Sequence, residues 1–418
     1  MDVIPSRFFL FFCILIALTG CSHESVVEEV TKDAPLSFRQ VLSDEKTYEV
    51  QIIYIQVDRD ENNVPSFTEH LFNVSRIKYF YPASTVQLPV AALALDKINR
   101  LNIPGFSRVA RMQVDSMRYP QSPVWLDLTS ADSLPSVEHY IHKILTVGDV
   151  DAYNRLYEFL GQDHIHDRLT ELDISHTRII HRLSDPRFGP DEDRYTNPVM
   201  FFNDDTLVYS REEVYAEGRP HPKLAGEMKG LAHVDVDGKL VPAPFDFSKK
   251  NFYPLTDQVS ILKRLMFPEV FPDSARFVLS EDDYSFLWRE MSLLPRESNY
   301  PVYPAGDFND GYAKFFMFGD KTGPIPENIR IFNRAGTAYG YLTDCAYIAD
   351  YENNVEFILA ATVHVNANDI YNDGEYEVDE VGIPFLGELG RQIYNYELTR
   401  EKAHKPDLSR YKQATGDE

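Results

Sequence analysis

Ser84 stands where a serine could act as a nucleophile. It lies in "YPASTVQLPVAALALDKINRL", residues 81–101, at the start of an apolar segment that predicts a helix. The free backbone N–H groups and the positive dipole end of such a helix stabilise a nearby oxyanion. A lysine three residues later would share the serine's helix face and could accept its proton. Gln87 occupies that position instead, and its amide stays neutral at every physiological pH.

The composition limits the class of protein. The chain has 418 residues, of which 44% are hydrophobic and 25% are charged, as is ordinary for a globular protein. The net charge of −24 and the pI near 4.9 disfavour nucleic acid as a partner, because phosphates require a basic face. Such an acidic surface mainly serves solubility.

The N-terminal residues predict export and a lipid anchor. Arg7 precedes an apolar run, residues 8–18, which is shorter than the ~20 residues that span a bilayer and therefore favours a signal peptide. The ending "LTGC" resembles a bacterial lipobox, which implies cleavage before Cys21 and lipid attachment to it. An ordinary signal peptide with an incidental cysteine is the alternative. The expected location is the bacterial cell envelope, facing the periplasm, and the outer membrane because Ser22 follows Cys21.

Cysteine usage agrees with this interpretation. Cys13 would leave with the signal peptide and Cys21 would carry lipid, so Cys345 alone remains in the body of the protein. No intramolecular disulfide is then expected. Cys345 lies in an apolar run and is predicted to be a small buried hydrophobe.

The remaining pattern predicts a tether at 22–44, a domain at 45–402 and a polar tail at 403–418. Strand patterns occur near both ends of the domain, and helix patterns dominate between them. This indicates an α+β fold with an antiparallel sheet built from both chain ends, flanking helices and an inserted helical lobe. The sheet lobe would cover about 45–80 and 255–402, and the helical lobe about 81–254. A cleft is expected where the lobes meet.

Individual elements follow from local patterns. Strands are expected at 48–57, 66–74, 314–319, 329–336, 338–350 and 355–365. Helices are expected at 85–101, 135–147, 149–161, 163–172, 255–267, 280–294 and 383–402. Long loops with hairpins, such as "HVDVDGKLV" with its Asp-Gly turn, are expected at 184–256.

Two segments resemble motifs of the serine β-lactamase and penicillin-binding family, whose signatures are S-x-x-K, S-D-N and K-T-G. The likeness is strongest to class A-like periplasmic serine hydrolases and covers about residues 45–402. Ser84 and Gln87 give S-x-x-Q in the first motif. In "VGDVDAYNRLYEFLG", S-D-N falls on Gly148, Asp149 and Val150.

The third motif has two candidate positions. A literal K-T-G begins at Lys321, in what reads as a loop before "PIPENIRIF". The family's triplet lies on a strand that is followed by a glycine and a second strand bearing an aspartate. "NRAGTAYGYLTDCAYI" has this pattern, so the expected counterpart is R-A-G, residues 334–336. The copy at Lys321 is interpreted as a chance match.

A fourth feature resembles the family's omega loop. In "GPDEDRYTNP", Asp193 and Asn197 have the spacing of the acid and the asparagine that hold the deacylating water. A polar loop with a proline-fixed end is the alternative.

The resemblance implies roles for these residues. Ser84 would be acylated, and its N–H and that of Thr337 would form the oxyanion hole. Arg334, beside Gly336, would bind a substrate carboxylate. Gln87, Gly148 and Val150 lack the amine, the hydroxyl and the amide of the family. General base catalysis is typically worth about 10²–10⁴-fold, so acylation would be very slow unless Asp193 acts through a water.

Structural roles remain open for several of these residues. Ser84 could cap its helix, Asp149 could cap the next helix, and Arg334 could form a structural ion pair. His164 and His166 would point apart on a helix, and the acidic segment 366–380 lacks EF-hand spacing, so no metal and no cofactor are expected.

Two functions therefore remain open at this level. One is a catalytically silent or weak β-lactamase-like protein whose cleft binds a β-lactam, a peptide, a cell-wall fragment or a partner protein. The other is an acyl hydrolase that acts on a β-lactam, an amide or an ester through Ser84. Whether the chain is an enzyme is left undecided.

Overall fold

The computed structural model describes residues 26–219, 221 and 223–416. Its helices are α1 (Val26–Thr31), α2 (Leu36–Ser43), α3 (Glu45–Tyr48), α4 (Gln87–Leu101), α5 (Val137–Thr146), α6 (Val150–Leu160), α7 (Gln162–Glu171), α8 (Leu255–Met266), α9 (Glu281–Ser292), α10 (Phe315–Phe318), α11 (Ile383–Thr399) and α12 (Ser409–Thr415). Its strands are β1 (Gln51–Arg59), β2 (Pro65–Phe72), β3 (Arg111–Val114), β4 (Tyr195–Thr196), β5 (Val199–Asn203), β6 (Thr206–Arg211), β7 (Val214–Tyr215), β8 (Met228–Lys229), β9 (Ala232–Val234), β10 (Leu240–Val241), β11 (Phe245–Asp246), β12 (Ile329–Asn333), β13 (Gly336–Ala338), β14 (Tyr341–Asp350), β15 (Val355–His364) and β16 (Ile370–Tyr371).

The main sheet is antiparallel and is assembled from both ends of the chain. Its strand order is β12-β14-β15-β1-β2, and β13 also pairs with β14. Strand β1 pairs with β15 in a register that places Ile52 opposite Ala361. All ten residues of β14 and all ten of β15 are buried, because helices cover both faces of the sheet. The predicted α+β arrangement is confirmed.

Side chains alternate across the sheet and enter two separate cores. Ile53 and Ile55 of β1 belong to the core shared with α4, α5, α6, α8 and α9. Ile52 and Tyr54 belong to the core on the other face, which α11 covers. The first core contains the apolar face of α4, and therefore fixes the helix that follows Ser84.

Helix α4 forms where its sequence predicts it. Leucine and alanine, both strong helix formers, fill most of its middle, and Pro89 falls in the first turn, where its missing N–H costs nothing. Asn102 ends the helix in the left-handed region, with φ of 48°. The helix is buried from Gln87 to Ile98, so it is a central core element.

Three predictions about the organisation are wrong. The described part of the predicted tether is folded: α1 buries Val27, and Phe38 of α2 stacks on Phe385 of α11 with ring centroids 4.7 Å apart. The predicted tail contains α12, whose buried Tyr411 donates to Met266 O at 2.6 Å. Both segments carry enough apolar side chains to pack against the domain. Their weak hydrophobic periodicity did not indicate this in the sequence.

The third wrong prediction is the strand expected at 314–319. This segment forms the short irregular helix α10, in which Met317 has a positive φ of 67°. Its aromatic run suits burial in either conformation, so the β-propensity of phenylalanine was misleading here.

The predicted helical lobe also contains small hairpins. Strands β3, β5 and β6 form one small sheet, and β9 and β10 form the hairpin that the Asp-Gly turn at 237–238 predicts. Cys21 and the predicted signal peptide lie outside the described residues. Within the described ranges, no helix has the length and apolarity that crossing a membrane requires.

Candidate active site

Ser84 lies on a 3₁₀ turn, Ala83–Val86, that leads directly into α4. Ala83 has a φ of 47°, an uncommon left-handed conformation for a residue with a side chain. Strained backbone of this kind tends to occur at functional sites. Ser84 is partly exposed, and its hydroxyl has no hydrogen-bond partner among the described residues. The turn therefore presents a free hydroxyl beside the N-terminal end of α4.

The edge strand β13 approaches this turn very closely. A Cβ atom placed on Gly336 would lie 2.4 Å from Ser84 N and 3.1 Å from Ala83 Cβ. Glycine is therefore required here because of space. Thr337, the next residue of β13, is exposed. The backbone at Ser84 and the edge strand β13 are thus in close contact, which an oxyanion hole built from these two segments would require.

Gln87 joins two elements behind the serine. Its Nε2 donates to Gly148 O at 3.1 Å and, more weakly, to Asp149 O at 3.5 Å. Its Oε1 accepts from Arg334 Nε at 2.8 Å. The side chain is fully buried. We call this connection from the 148–149 loop through Gln87 to Arg334 the Gln87 bridge.

Arg334 fills the space that a side chain at position 148 would need. A Cβ atom on Gly148 would lie 2.0 Å from Arg334 Nη2, and Gly148 has a φ of 79° that favours glycine. Arg334 is only 5% exposed, and burial lowers the pKa of its guanidinium to about 10. Its Nε is bound to Gln87, so the binding of a substrate carboxylate, which stays a prediction, would fall to Nη1 and Nη2.

Arg334 lies between β12 and β13, next to a residue that faces a buried acid on β14. Strands β12 and β13 pair with β14 in one continuous register, which places Ala335 opposite Asp344. Asp344 accepts from Asn333 Nδ2 at 2.7 Å, and burial raises its pKa to about 6. Its charge favours the protonated form of Arg334. The charged guanidinium is therefore stabilised by Asp344 of the sheet as well as by its hydrogen bond to Gln87.

The second motif has a structural role at its surviving residue. Asp149 is the N-cap of α6, where its Oδ1 accepts from Ala152 N at 2.8 Å. Its other oxygen lies 3.2 Å from Lys143 Nζ. Val150 begins α6 and carries no polar group. The capping role considered from the sequence is confirmed.

Asp193 and Asn197 lie close together because both side chains accept hydrogen bonds from the same arginine, Arg182. Asp193 Oδ1 accepts from Arg182 N at 2.9 Å and from its Nη1 at 3.3 Å, and Asn197 Oδ1 accepts from Arg182 Nη2 at 3.2 Å. Burial raises the pKa of Asp193 to about 7. The Nδ2 of Asn197 donates to the carbonyl of Asp115 at 2.7 Å. Both side chains therefore hold this loop in place.

Lys321 belongs to a different part of the surface. Its Nζ pairs with Asp320 at 3.3 Å, and Asp320 is itself bound by Arg391 of α11. The side chain of Lys321 is half exposed. The structure brings together Ser84, Gln87, Gly148, Arg334 and Gly336 without it.

A large cavity at Tyr81 and Tyr339 contains residues that the sequence analysis missed, and Ser84 is not among the residues that line it. Its volume is about 930 Å³, and its wall includes Tyr81, three residues before the serine, and Tyr339, two residues after Thr337. His181 and Lys250 also line it. Nothing in "SKKNFYP" or "IIHRLS" distinguishes these two from surface residues, because only the folded loops bring them together. No cluster of potential metal ligands occurs in the described residues.

Comparison with known protein families finds a match over part of the chain. Residues 38–219 match the model of the beta-lactamase enzyme family, a range that includes Ser84, Gly148 and Asp193 and ends before Arg334. The chain is β-lactamase-like. The α+β fold of this β-lactamase-like protein fits that family, but the fold does not decide the chemistry, which depends on the site.

Solved structures with this type of fold are similar at low identity. The structure of PBP-A has 12% identity and a TM-score of 0.46, with 88% of this chain and 95% of that chain covered. A class A beta-lactamase from Clostridium kluyveri has 14% identity and a TM-score of 0.47, with 86% and 97% covered. A beta-lactamase from Streptosporangium roseum has 12% identity and a TM-score of 0.47, with 88% and 98% covered. No curated protein matches the chain.

Proposed function

We propose that this β-lactamase-like protein is a lipid-anchored binding protein of the bacterial envelope, in which Ser84 lacks proton-transfer machinery. The observation that carries the proposal is the Gln87 bridge. Acylation of a serine needs a group that removes its proton. At the family's lysine position stands a neutral amide, and both of its polar ends are engaged by Gly148 and Arg334.

The second motif supports the same conclusion. A relay hydroxyl at position 148 is missing, and Arg334 occupies the space where it would lie. Asp193 is the remaining acid, and it is bound by both the backbone and the guanidinium of Arg182. General base catalysis contributes about 10²–10⁴-fold, so a site without a base should acylate very slowly.

One observation favours the alternative, an acyl hydrolase that uses Ser84 through an acyl-enzyme. The left-handed Ala83 and the close approach of Gly336 to Ser84 N keep the backbone arrangement of an oxyanion hole. Oxyanion stabilisation alone leaves residual catalysis when the base is removed. A slow reaction with an activated ester or a strained amide would then be expected.

The proposed place of action is the periplasm-facing side of the outer membrane, with Cys21 as the lipid attachment residue. The proposed ligands are a β-lactam, a peptide or a cell-wall fragment held in the cleft beside Ser84. The short apolar run and the "LTGC" ending support the anchor. The cavity of about 930 Å³ at Tyr81 and Tyr339 is large enough for a ligand of this size.

A turnover assay separates the two functions. Purified protein is incubated with nitrocefin beside an active class A β-lactamase and a Ser84→Ala variant. The binding-protein proposal expects turnover at least about 10²-fold below the active enzyme and equal to that of Ser84→Ala. Turnover that Ser84→Ala abolishes would establish the hydrolase instead.

A further inference from the structure

A serine, a histidine and a glutamate form a connected hydrogen-bonded set away from Ser84. His142 of α5 has its Nδ1 2.7 Å from Glu290 Oε2 of α9 and its Nε2 2.8 Å from Ser298 Oγ. Ser298 directly follows a 3₁₀ turn, Pro295–Glu297. A serine, a histidine base and an acid that orients the base, in this order, are the groups that activate a serine for acyl transfer.

Glu290 fixes the orientation and the tautomer of the histidine. Arg289 donates to Glu290 Oε1 from Nε at 2.9 Å and from Nη2 at 2.7 Å, and the carboxylate is buried. Burial alone would raise the pKa of Glu290, but its hydrogen bond to His142 and the nearby positive charges lower it. An ionised Glu290 accepts the proton of His142 Nδ1, so Nε2 of the neutral ring is left as the acceptor for Ser298.

The hydroxyl proton of Ser298 has two acceptors within reach. Besides His142 Nε2, the carbonyl oxygen of Pro301 lies 2.6 Å from Ser298 Oγ. A serine hydroxyl rotates to suit its surroundings, so the proton can turn from the carbonyl to the histidine. The backbone N–H of Asn299, the next residue, has no acceptor among the described residues. Unpaired N–H groups beside a nucleophile are the donors that an oxyanion hole uses.

These side chains line a cavity of their own. Its volume is about 770 Å³, and both His142 and Ser298 belong to its wall. Ser84, Gln87 and Arg334 are not among the residues that line it. The volume is that of a small-molecule site, and a reaction here would be independent of the Gln87 bridge.

Arg111 supplies an unpaired cation in the same wall. Its guanidinium carbon lies 4.7 Å from the ring centroid of Phe202, which also lines the cavity. The guanidinium forms no ion pair and no hydrogen bond among the described residues, and its Nε is buried without a partner. The other arginine of the wall, Arg289, is already bound to Glu290. A guanidinium in this situation is stabilised by an anion from outside the chain.

We infer that this cavity is a second hydrolytic site, for carboxylic esters whose acyl group carries an anion that Arg111 binds. Ser298 Oγ bonds to the ester carbonyl carbon while its proton passes to His142 Nε2. The bond from that carbon to the alcohol oxygen then breaks, and His142 gives the proton to the leaving alkoxide. A water molecule that His142 deprotonates attacks the acyl-serine, the free acid leaves, and Ser298 regains its proton. Glu290 stays ionised and stabilises the imidazolium.

Two esters with acyl chains of equal length test this activity. Mono-4-nitrophenyl glutarate carries a carboxylate on its acyl group, and 4-nitrophenyl valerate is neutral. Every protein carries Ser84→Ala, so that Ser84 contributes nothing, and nitrophenolate release is measured by absorbance. We expect Ser298→Ala and His142→Gln each to lower the rate by at least about 10²-fold. Arg111→Met should raise the KM of the glutarate ester at least about tenfold and leave that of the valerate ester unchanged.

A matched variant and a second measurement complete the experiment. Ser130→Ala removes another serine of the same wall and should leave both rates unchanged. Peptide mapping of the Ser84→Ala protein after treatment with a fluorophosphonate should find the adduct on Ser298, which does not require a Ser298 variant to fold. Ester release that persists in Ser298→Ala, equal KM values for the two esters, or an unlabelled Ser298 would overturn the inference. An acyl adduct on Ser84 in the wild type would overturn the proposed function and leave this result intact.

Discussion

Gln87 Oε1 accepts a hydrogen bond from Arg334 Nε at 2.8 Å, and this contact joins two positions that a serine β-lactamase-like site would use for proton transfer and for substrate binding. The same amide donates to Gly148 O at the third position. The three altered motifs are therefore one connected structural unit. Restoring any one of them alone should disturb the other two.

The first prediction concerns Gln87→Lys. The new amine would face the buried guanidinium of Arg334, which would also lose its acceptor. We expect the free energy of unfolding to fall by about 2–4 kcal/mol in urea denaturation, with no acylation of Ser84 by penicillin.

Gln87→Met is the matched control, because it removes the hydrogen bonds of the amide without adding charge. It should be less destabilising than Gln87→Lys, and Arg334→Met should partly rescue the lysine variant. A Gln87→Lys protein as stable as wild type, and rapidly acylated, would show that the bridge is not coupled to catalysis.

The second prediction concerns the contact between Gly148 and Arg334. Gly148→Ala combines a left-handed backbone, which costs about 1–2 kcal/mol for alanine, with the overlap at Arg334 Nη2. The double variant with Arg334→Ala removes the overlap. We expect it to be more stable than the sum of the single changes by at least about 1 kcal/mol.

Gly238→Ala is the control for the cost of a positive φ without steric overlap. Gly238 has a φ of 77°, and its Cβ would meet no atom within 4 Å. It should therefore cost less than Gly148→Ala and show no coupling to Arg334→Ala. Additive effects of Gly148→Ala and Arg334→Ala would contradict the packing described for this pair.

The third prediction concerns pH. His166 is buried as the neutral tautomer, with Nδ1 donating to Gln162 O at 2.8 Å and Nε2 accepting from Ile179 N at 3.2 Å. Burial, followed by the charges of His221 and Arg219, lowers its pKa to about 4. Because the unfolded histidine has a pKa near 6.5, the stabilising contribution is present above that pH and is lost as the pH falls towards 4.

For this one group the loss between pH 7 and pH 5 is about 2 kcal/mol. His166→Gln keeps an acceptor near Ile179 N but cannot take up a proton. The difference in unfolding free energy between pH 7 and pH 5 should shrink by about that amount in this variant. An unchanged difference would mean that His166 is protonated equally in the folded and unfolded states.

The fourth prediction concerns Cys21. If lipid is attached there, Cys21→Ser should move the protein out of the membrane fraction or block processing of the signal peptide. Two or more acyl chains suffice for stable anchoring, so the wild type should sediment with membranes. Mature wild-type protein that is soluble, with a free N-terminal cysteine thiol, would exclude the anchor.

Much of the fold could be predicted from periodicity. Helix α4 and strands β14 and β15 have long, strong patterns, and their predicted ranges agree with the structure within a few residues. The segments at 26–43 and 409–415 could not be assigned in this way. Their burial depends on single apolar residues such as Phe38 and Tyr411, whose partners are distant in the chain.

The positions of the site residues could be predicted from the sequence, but the contacts between their side chains could not. Ser84, Gln87, Gly148 and Arg334 were identified from motif spacing, and the structure brings them together. The sequence could not show that Arg334 would turn inward, since that depends on the space left by Gly148 and the acceptor supplied by Gln87. Lys250 and His181 carried no signal, because their chemistry arises from burial in a cavity formed by loops.

Intact-mass spectrometry of the wild-type protein tests the central claim most directly. The protein is exposed to benzylpenicillin and, separately, to a serine-reactive fluorophosphonate, with an active class A β-lactamase and Ser84→Ala as controls. The Gln87 bridge predicts that the wild type gains no penicilloyl mass while the active enzyme reacts, and that any fluorophosphonate adduct at Ser84 forms slowly. A rapid, stoichiometric penicilloyl adduct that maps to Ser84 and disappears in Ser84→Ala would contradict it.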